Sequence, residues 1–350
     1  MTGEELVKDE GAFYRELPKV ELHRHLEGSL RLETLQEIAR EYGITLPIKH
    51  GLGPLVQMQS DDPYDFATFL SKFATIRLFY RSPEIIARVT DEAIADAAAD
   101  NIRHLELLFT PVALSRAQGF SLGEVMDWVA EAAAAAGRKY GVNVLLLASV
   151  NRHEPVHLAE ETVLEAASRI ERGIVGVNLA GNEVEFSAKP FAGVFAAARQ
   201  AGLHVTIHAG EWTDAENVRE AIEELGAERI GHGVRVLEDP AVMRLAAERG
   251  TTFEVCLTSN YQTGSVANLS VHPFKQMLDA GLKVTLNTDD PSISQITLSD
   301  EYQLACEKLH LSKTVLAGLV LEAVRASFLP GAQKETLIQK FQTEMAHFQN

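Results

Sequence analysis

Apolar residues along this chain fall into two alternating rhythms. From residue 101 onward, short and nearly continuous apolar runs recur at His104–Pro111, Val142–Val150, Val175–Gly181, His204–Glu211, Arg229–Val236, Thr251–Asn260 and Lys283–Pro291. Between them lie segments with apolar side chains three and four residues apart, at about 121–139, 156–172, 189–201, 214–226 and 239–249, with a shorter one at 271–280. The spaced pattern is that of an amphipathic helix, and the continuous runs suit strands buried on both faces. One more run, at about 19–26, precedes them and makes eight strands. Strands alternating with helices form a parallel sheet, and eight such units predict an α/β fold of the (β/α)8 TIM-barrel type.

The flanks depart from the minimal repeat. Residues 1–17 read as a polar lead-in with one helical turn. After the first strand, Leu30–Tyr42 has helical spacing and stops near Gly43, and 44–62 is loop-like, with Pro47, Gly51, Gly53 and Pro54. Helical spacing returns over Tyr64–Phe79, breaks at Pro83 and resumes over Glu84–Asp100. These extra helices exceed what one βα unit needs and are candidates for a lid over a pocket. Helices at about 298–309, 313–327 and 333–348 follow the last strand. No Pro- or Ser-rich linker divides the chain, so it reads as one domain over 1–350, with a barrel core at about 18–292. The alanine run Ala132–Ala136 is a strong helix former and carries no function.

The formal net charge of −17 argues against nucleic acid or an anionic membrane surface as partner, because phosphate binding needs clustered Lys and Arg. The two cysteines, Cys256 and Cys306, make neither a disulfide framework nor a CxxC zinc motif, and a reducing, cytoplasmic setting follows. Met1–Glu10 is charged and lacks the apolar core of a signal peptide, and no apolar run is long enough to span a bilayer. Oligomeric state has no signature here.

In such barrels the chemistry lies at the carboxyl ends of the strands. Strand 1 carries His23 and His25, two residues apart and so on one face. Strand 5 ends in His208-Ala209-Gly210-Glu211, strand 6 carries Gly231-His232-Gly233, and strand 8 ends in Asn287-Thr288-Asp289-Asp290-Pro291. His23, His25, His208 and Asp289 offer three imidazoles and a carboxylate, a set that suits one Zn²⁺ with a position left for water. Such an ion lowers the pKa of its water to about 7. Glu211 is placed to protonate a substrate nitrogen, and His232 to orient or deprotonate the water. Asp290 points away from Asp289 and is free for a substrate. His104, His153, His157, His204 and His272 have no partners in this scheme and read as structural. Strand 4 offers only Asn178 where a second ion would need a bridging Lys or Glu, so one ion per chain is expected.

The segments Leu17–Ser29, Leu179–Glu183, His208–Glu211, Arg229–Gly233 and Leu286–Pro291 together resemble the adenosine deaminases of the amidohydrolase superfamily, in order and spacing, from about residue 15 onward. The resemblance implies a zinc-bearing barrel that hydrolyses the 6-amino group of a purine. Zinc would be held by His23, His25, His208 and Asp289. Glu211 would protonate N1, and His232 and Asp289 would serve the water that attacks C6. Asp290 would grip N7 and the Gly181 N–H would reach N3. Glu27 would contact the ribose, and His25 would also border the substrate. The family usually has Asp where this chain has Glu27, and often Asp at Asn178 and Asn182. Val255–Asn260 and Leu298–Leu304 also resemble the branch acting on N6-methyl-AMP. The resemblance ranks adenosine or deoxyadenosine first, a modified or 5′-extended adenine nucleoside or nucleotide second, and free adenine third. Other amidohydrolase chemistry and a non-catalytic barrel are the outside readings. The deaminases that bind zinc through a PCxxC run are excluded, because none occurs.

Overall fold

A computed structural model describes residues 11–46 and 51–346. The polar lead-in up to residue 10, the loop residues 47–50 and the last four residues of the chain lie outside the described part. Eight strands form one parallel sheet in sequential order: β1 (Lys19–His25), β2 (Ile102–Phe109), β3 (Asn143–Asn151), β4 (Ile174–Ala180), β5 (His204–Ala209), β6 (Arg229–His232), β7 (Thr252–Val255) and β8 (Lys283–Leu286). Just past β8 the chain closes the barrel against β1. His25 N–H donates to the Asp289 carbonyl (2.8 Å), and Asp289 N–H donates to the His23 carbonyl (3.0 Å). Side chains complete the seam, with Leu22 N–H on Asn287 Oδ1 and Thr288 N–H on Glu21 Oε1, both at 2.9 Å. The seam therefore sets Asp289 beside both histidines of β1.

The expected (β/α)8 barrel is observed, but β5 to β8 are shorter than their apolar runs. Thr251–Asn260 divides into β7 and a helix, Leu257–Gln262, whose first N–H groups are held by the buried Glu301 carboxylate. Arg229–Val236 divides into β6 and a 3₁₀ turn, Val234–Glu238. Periodicity cannot separate a buried strand from the buried helix that continues it.

The helices follow the predicted order. Leu122–Tyr140 opens with a Ser121/Glu124 capping box and packs on Pro83–Ala99, burying Ala133 and Ala136 of the alanine run. Pro83 starts that partner helix, capped by Ser82, because Pro fits the first helical turn. Lys313–Ala326 packs on β8 and β1. Of the extra helices, Phe66–Ile76 and the turn after it reach the site, through Phe69, Leu70, Phe73 and Arg77, whereas Pro83–Ala99 packs in the outer wall. Among the described residues no helix is long and apolar enough to cross a membrane.

Deep inside the barrel, Arg229 lies between Glu106 (2.6 Å) and Glu254 (2.5 Å), with its guanidinium 3.6 Å from the Phe328 ring centroid. His104 hydrogen-bonds Glu106 (3.2 Å), and His204 stacks on Phe328 at 4.2 Å. Both histidines thus lie apart from the carboxyl-end cluster.

Candidate active site

The carboxyl ends of β1, β5, β6 and β8 bring the predicted residues together. Ligand atoms of His23, His208, His232 and Asp289 lie within 4.8 Å of one another. His25 Nε2 joins them, 3.3 Å from both His208 Nε2 and Asp289 Oδ1. His23 Nε2 is 3.4 Å from the same oxygen. Two rings are gripped from behind: His23 Nδ1–H donates to Glu254 (2.8 Å), and His208 Nδ1–H donates to Asn178 Oδ1 (3.0 Å). With Nδ1 used as donor, Nε2 is the nitrogen each ring turns to the centre, and it offers a lone pair when the ring is neutral. Among the described residues, the buried His23 Nε2 has no hydrogen-bond partner. Three imidazoles and a carboxylate converging in this way fit a divalent cation.

The backbone is bent to this purpose. His232 and Asp289 both adopt left-handed φ, +62° and +65°, a conformation that costs on the order of 1–3 kcal/mol in non-glycine residues. Asp289 and the next residue, Asp290, thus leave the strand direction at the cavity floor. Gly28 makes room there, since a Cβ on it would come within 1.8 Å of Asp290 Oδ1. Gly231 does the same for the imidazoles, 2.7 Å from His23 Cε1.

Burial dominates the electrostatics. It pushes His208 well below its usual range, with help from the neighbouring rings, and takes His25 to about 4 and His232 to about 3. In His23 burial is outweighed by the carboxylates of Asp289 and Glu254, which lift it to about 10. Burial opposes the charge of Asp289 too, but its histidine neighbours, His23 first, hold it well below the usual carboxylate range. Burial, then the charge of Asp289, pushes Glu211 and Asp290 well above that range, and burial raises Glu27. Both shifts favour the protonated form, the one that can donate a hydrogen bond.

Each acid is aimed at one cavity. Glu211 Oε1 is 3.3 Å from Thr263 Oγ1. Glu27 accepts from Thr110 N–H through Oε1 (2.6 Å), while its Oε2 and Asp290 Oδ1 are buried without hydrogen-bond partners among the described residues. Gly181, at the end of β4 with φ +94°, lines the same space, and Phe69, Leu70, Phe73 and Trp212 make its apolar wall. Phe66 stacks on Trp212 at 5.2 Å.

Several positioning residues escape sequence reasoning. Glu183 accepts the N–H groups of Gly210 (3.0 Å), Glu211 (2.7 Å), Trp212 (2.5 Å) and Thr213 (3.0 Å), and so fixes the loop that carries Glu211. Ser259 donates to Asp289 Oδ2 (2.7 Å), and Arg152 donates to the His208 carbonyl. Glu254 left one signal, a lone carboxylate in the buried run Thr252–Val255. Two histidines read as purely structural are not remote from the site. His153 lines the cavity, and His272 lies 3.3 Å from Asn260, which touches His232.

A family model, adenosine deaminase, matches residues 18–344. The chain belongs to the adenosine deaminase family. It is 36% identical over 326 residues to the adenosine deaminases of Klebsiella pneumoniae strain 342 and Shigella flexneri, covering 93% of this chain and 97% of each relative. Solved structures agree. An adenine deaminase from Arthrobacter aurescens superposes with TM-score 0.85 at 30% identity, covering 93% of this chain and 98% of that one. The N6-mAMP deaminase of Arabidopsis reaches 0.86 at 28%, covering 95% and 99%. An amidohydrolase from Burkholderia ambifaria with bound Zn reaches 0.89 at 26%, covering 99% and 95%. As a member of the adenosine deaminase family the protein is a hydrolytic deaminase, and its His/Asp cluster is compatible with a metal site.

Proposed function

We propose that this enzyme converts adenosine and 2′-deoxyadenosine to inosine and deoxyinosine plus ammonia, as a cytoplasmic enzyme of purine salvage. The observation that carries the reading is the pair of buried acids, Glu211 and Asp290, that line the cavity beside the histidine cluster, where burial and the charge of Asp289 push both toward the protonated form. A purine ring presents acceptor nitrogens along its edge, and protonated carboxyls are the donors that match them. Identity to adenosine deaminases over nearly the whole chain supports the same substrate.

His23, His25, His208 and Asp289 are the residues that would hold one Zn²⁺, an assignment supported by their nitrogen-rich donor set and the orphaned His23 Nε2. Bound there, the ion would supply a Lewis acid and hydroxide at neutral pH. The remaining steps fall to the protein. Glu211 donates its proton to N1 and makes C6 electrophilic. Asp290 donates to N7, the Gly181 N–H meets N3, and Glu27 Oε2 accepts from a sugar hydroxyl. His25 borders the substrate, and His232 and Asp289 hold the attacking water. Phe69, Phe73 and Trp212 exclude bulk water from the ring.

A second reading, a phosphorylated or otherwise acidic 5′ extension, is favoured by Arg77, which lines the cavity and whose buried Nε has no hydrogen-bond partner among the described residues. Free adenine stands third, as the substrate of the Arthrobacter neighbour. The test is ammonia release by zinc-loaded protein with adenosine, 2′-deoxyadenosine, adenine, N6-methyl-AMP and a 5′-extended adenosine. Fast turnover of the first two is expected and vanishes on chelation. Preference for another of the five overturns the substrate and keeps the chemistry, whereas silence on all five with zinc bound overturns both.

A further inference from the structure

Behind His232, on the side away from the cavity, three buried hydrogen bonds run in series. Phe274 N–H, freed as the first donor of the helix Phe274–Asp279, points at His272 Nδ1 (3.1 Å). His272 Nε2 meets Asn260 Oδ1 at 3.3 Å. Asn260 Nδ2 meets His232 Nδ1 at 3.1 Å. At the far end, His232 Nε2 lies 3.6 Å from Glu211 Oε2 and 3.8 Å from Asp289 Oδ2. His272, Asn260 and His232 are all buried.

The first link removes the ambiguity of all the others. A backbone N–H only donates, so His272 Nδ1 must accept. A neutral imidazole has one N–H, which His272 then carries on Nε2. Burial, with no acid among its influences, keeps this ring neutral. Its Nε2–H requires an oxygen, which orients the Asn260 amide with Oδ1 toward His272 and Nδ2 toward His232. The reversed amide would set donor against donor. His232 Nδ1 accepts in turn, so the proton of that neutral ring sits on Nε2.

We infer that His272 and Asn260 form a relay that locks His232 in its Nε2–H tautomer, so that His232 meets the reacting oxygen as a hydrogen-bond donor and has no lone pair to offer a metal ion. His272 and Asn260 are positioning residues, and a role for His232 as the base that deprotonates water in the resting enzyme is thereby removed. The chemical consequence rests on the proposed deamination; the tautomer itself does not.

The test is a long-range ¹H–¹⁵N correlation spectrum of zinc-loaded protein labelled in its histidines, with His232 identified by loss of its signals in His232→Gln. An Nε2–H pattern at His232 is expected in the wild type, and an Nδ1–H pattern overturns the relay. Asn260→Asp places an obligate acceptor against Nδ1. It should move the proton to Nδ1 and lower kcat about 10- to 100-fold with KM and zinc content near wild type. His272→Leu should lower kcat in the same way, and His272→Gln, which keeps a donor, should restore most of it. Unchanged kcat in both folded Asn260→Asp and His272→Leu refutes the functional role. If Asn260→Asp does not fold, the wild-type spectrum and the His272 pair decide. If no purine turns over while His232 reads Nε2–H, the proposed function fails and the relay stands.

Discussion

Deep in the barrel, Arg229 sits between Glu106 and Glu254, with both carboxylates within 2.6 Å. At the carboxyl end, Glu27, Glu211 and Asp290 are likewise buried, with no Lys or Arg paired to them among the described residues, and two of them leave an oxygen without a hydrogen-bond partner there. The same residue type therefore titrates in opposite directions within one barrel. Burial opposes the charge of Glu106, but Arg229 and His104 hold it down at about 2. Burial wins at Glu211 and Asp290, and the neighbouring carboxylates add to it. Losing one partner of a buried ion-paired cluster weakens folding. Buried acids without such a partner keep protons and lone pairs available for a substrate and lower stability in doing so. Glu254 belongs to both regions, since one oxygen faces Arg229 and the other His23.

Substitutions that neutralise an acid in either region, or displace one, put this contrast to the test. Glu211→Gln carries the largest expected effect, a loss of about 10²- to 10⁴-fold in kcat, with thermal stability equal to wild type or higher. A matching loss of stability would show that Glu211 is structural. Gly28→Ala should cost about 10²-fold in kcat/KM, because the new Cβ overlaps Asp290 Oδ1 and shifts a group that must be placed to within about an ångström; normal turnover would mean that Asp290 holds no substrate. Glu254→Gln should affect both regions, with zinc affinity weaker by about 10- to 100-fold and folding weaker by about 3–5 kcal/mol, read by metal titration and denaturant unfolding. Glu106→Gln should share that loss of stability and leave kcat unchanged.

The deep cluster also has a pH signature. Glu106 titrates at about 2 when folded, below its ordinary 4.5, so the unfolded chain binds the proton first. Its contribution is complete above about pH 4.5 and disappears as the pH falls toward 2. Unfolding free energies measured between pH 5 and 3 should fall less steeply in Glu106→Gln than in the wild type, and parallel slopes would remove Glu106 from the account.

Much of this was legible in the residues. Alternating rhythms disclosed the eight strands, and the polar groups at their ends disclosed His23, His25, His208, Glu211, His232, Asp289 and Asp290, because a buried strand tolerates few polar residues without a reason. The ends of β5 to β8 are not legible in the sequence, since the apolar runs continue into turns and a short buried helix. Nor are the neighbours of His272 and His153, because a histidine's role is set by which nitrogen its neighbours occupy. Glu183 appears in the sequence only as the end of a short motif, and its grip on four successive N–H groups depends on a loop that folds back over it.

The sequence by itself determined the barrel, the residue types at its carboxyl end and the family, because periodicity and motif spacing are one-dimensional properties. Only the tertiary structure decided which atoms face one another. Barrel closure sets Asp289 against β1, Glu254 behind His23, and Phe274 N–H at the head of the relay to His232. Protonation and tautomer follow from burial and from the partner of each nitrogen and oxygen. Those partners come from segments up to 267 residues apart, as Glu21 and Thr288 are at the barrel seam.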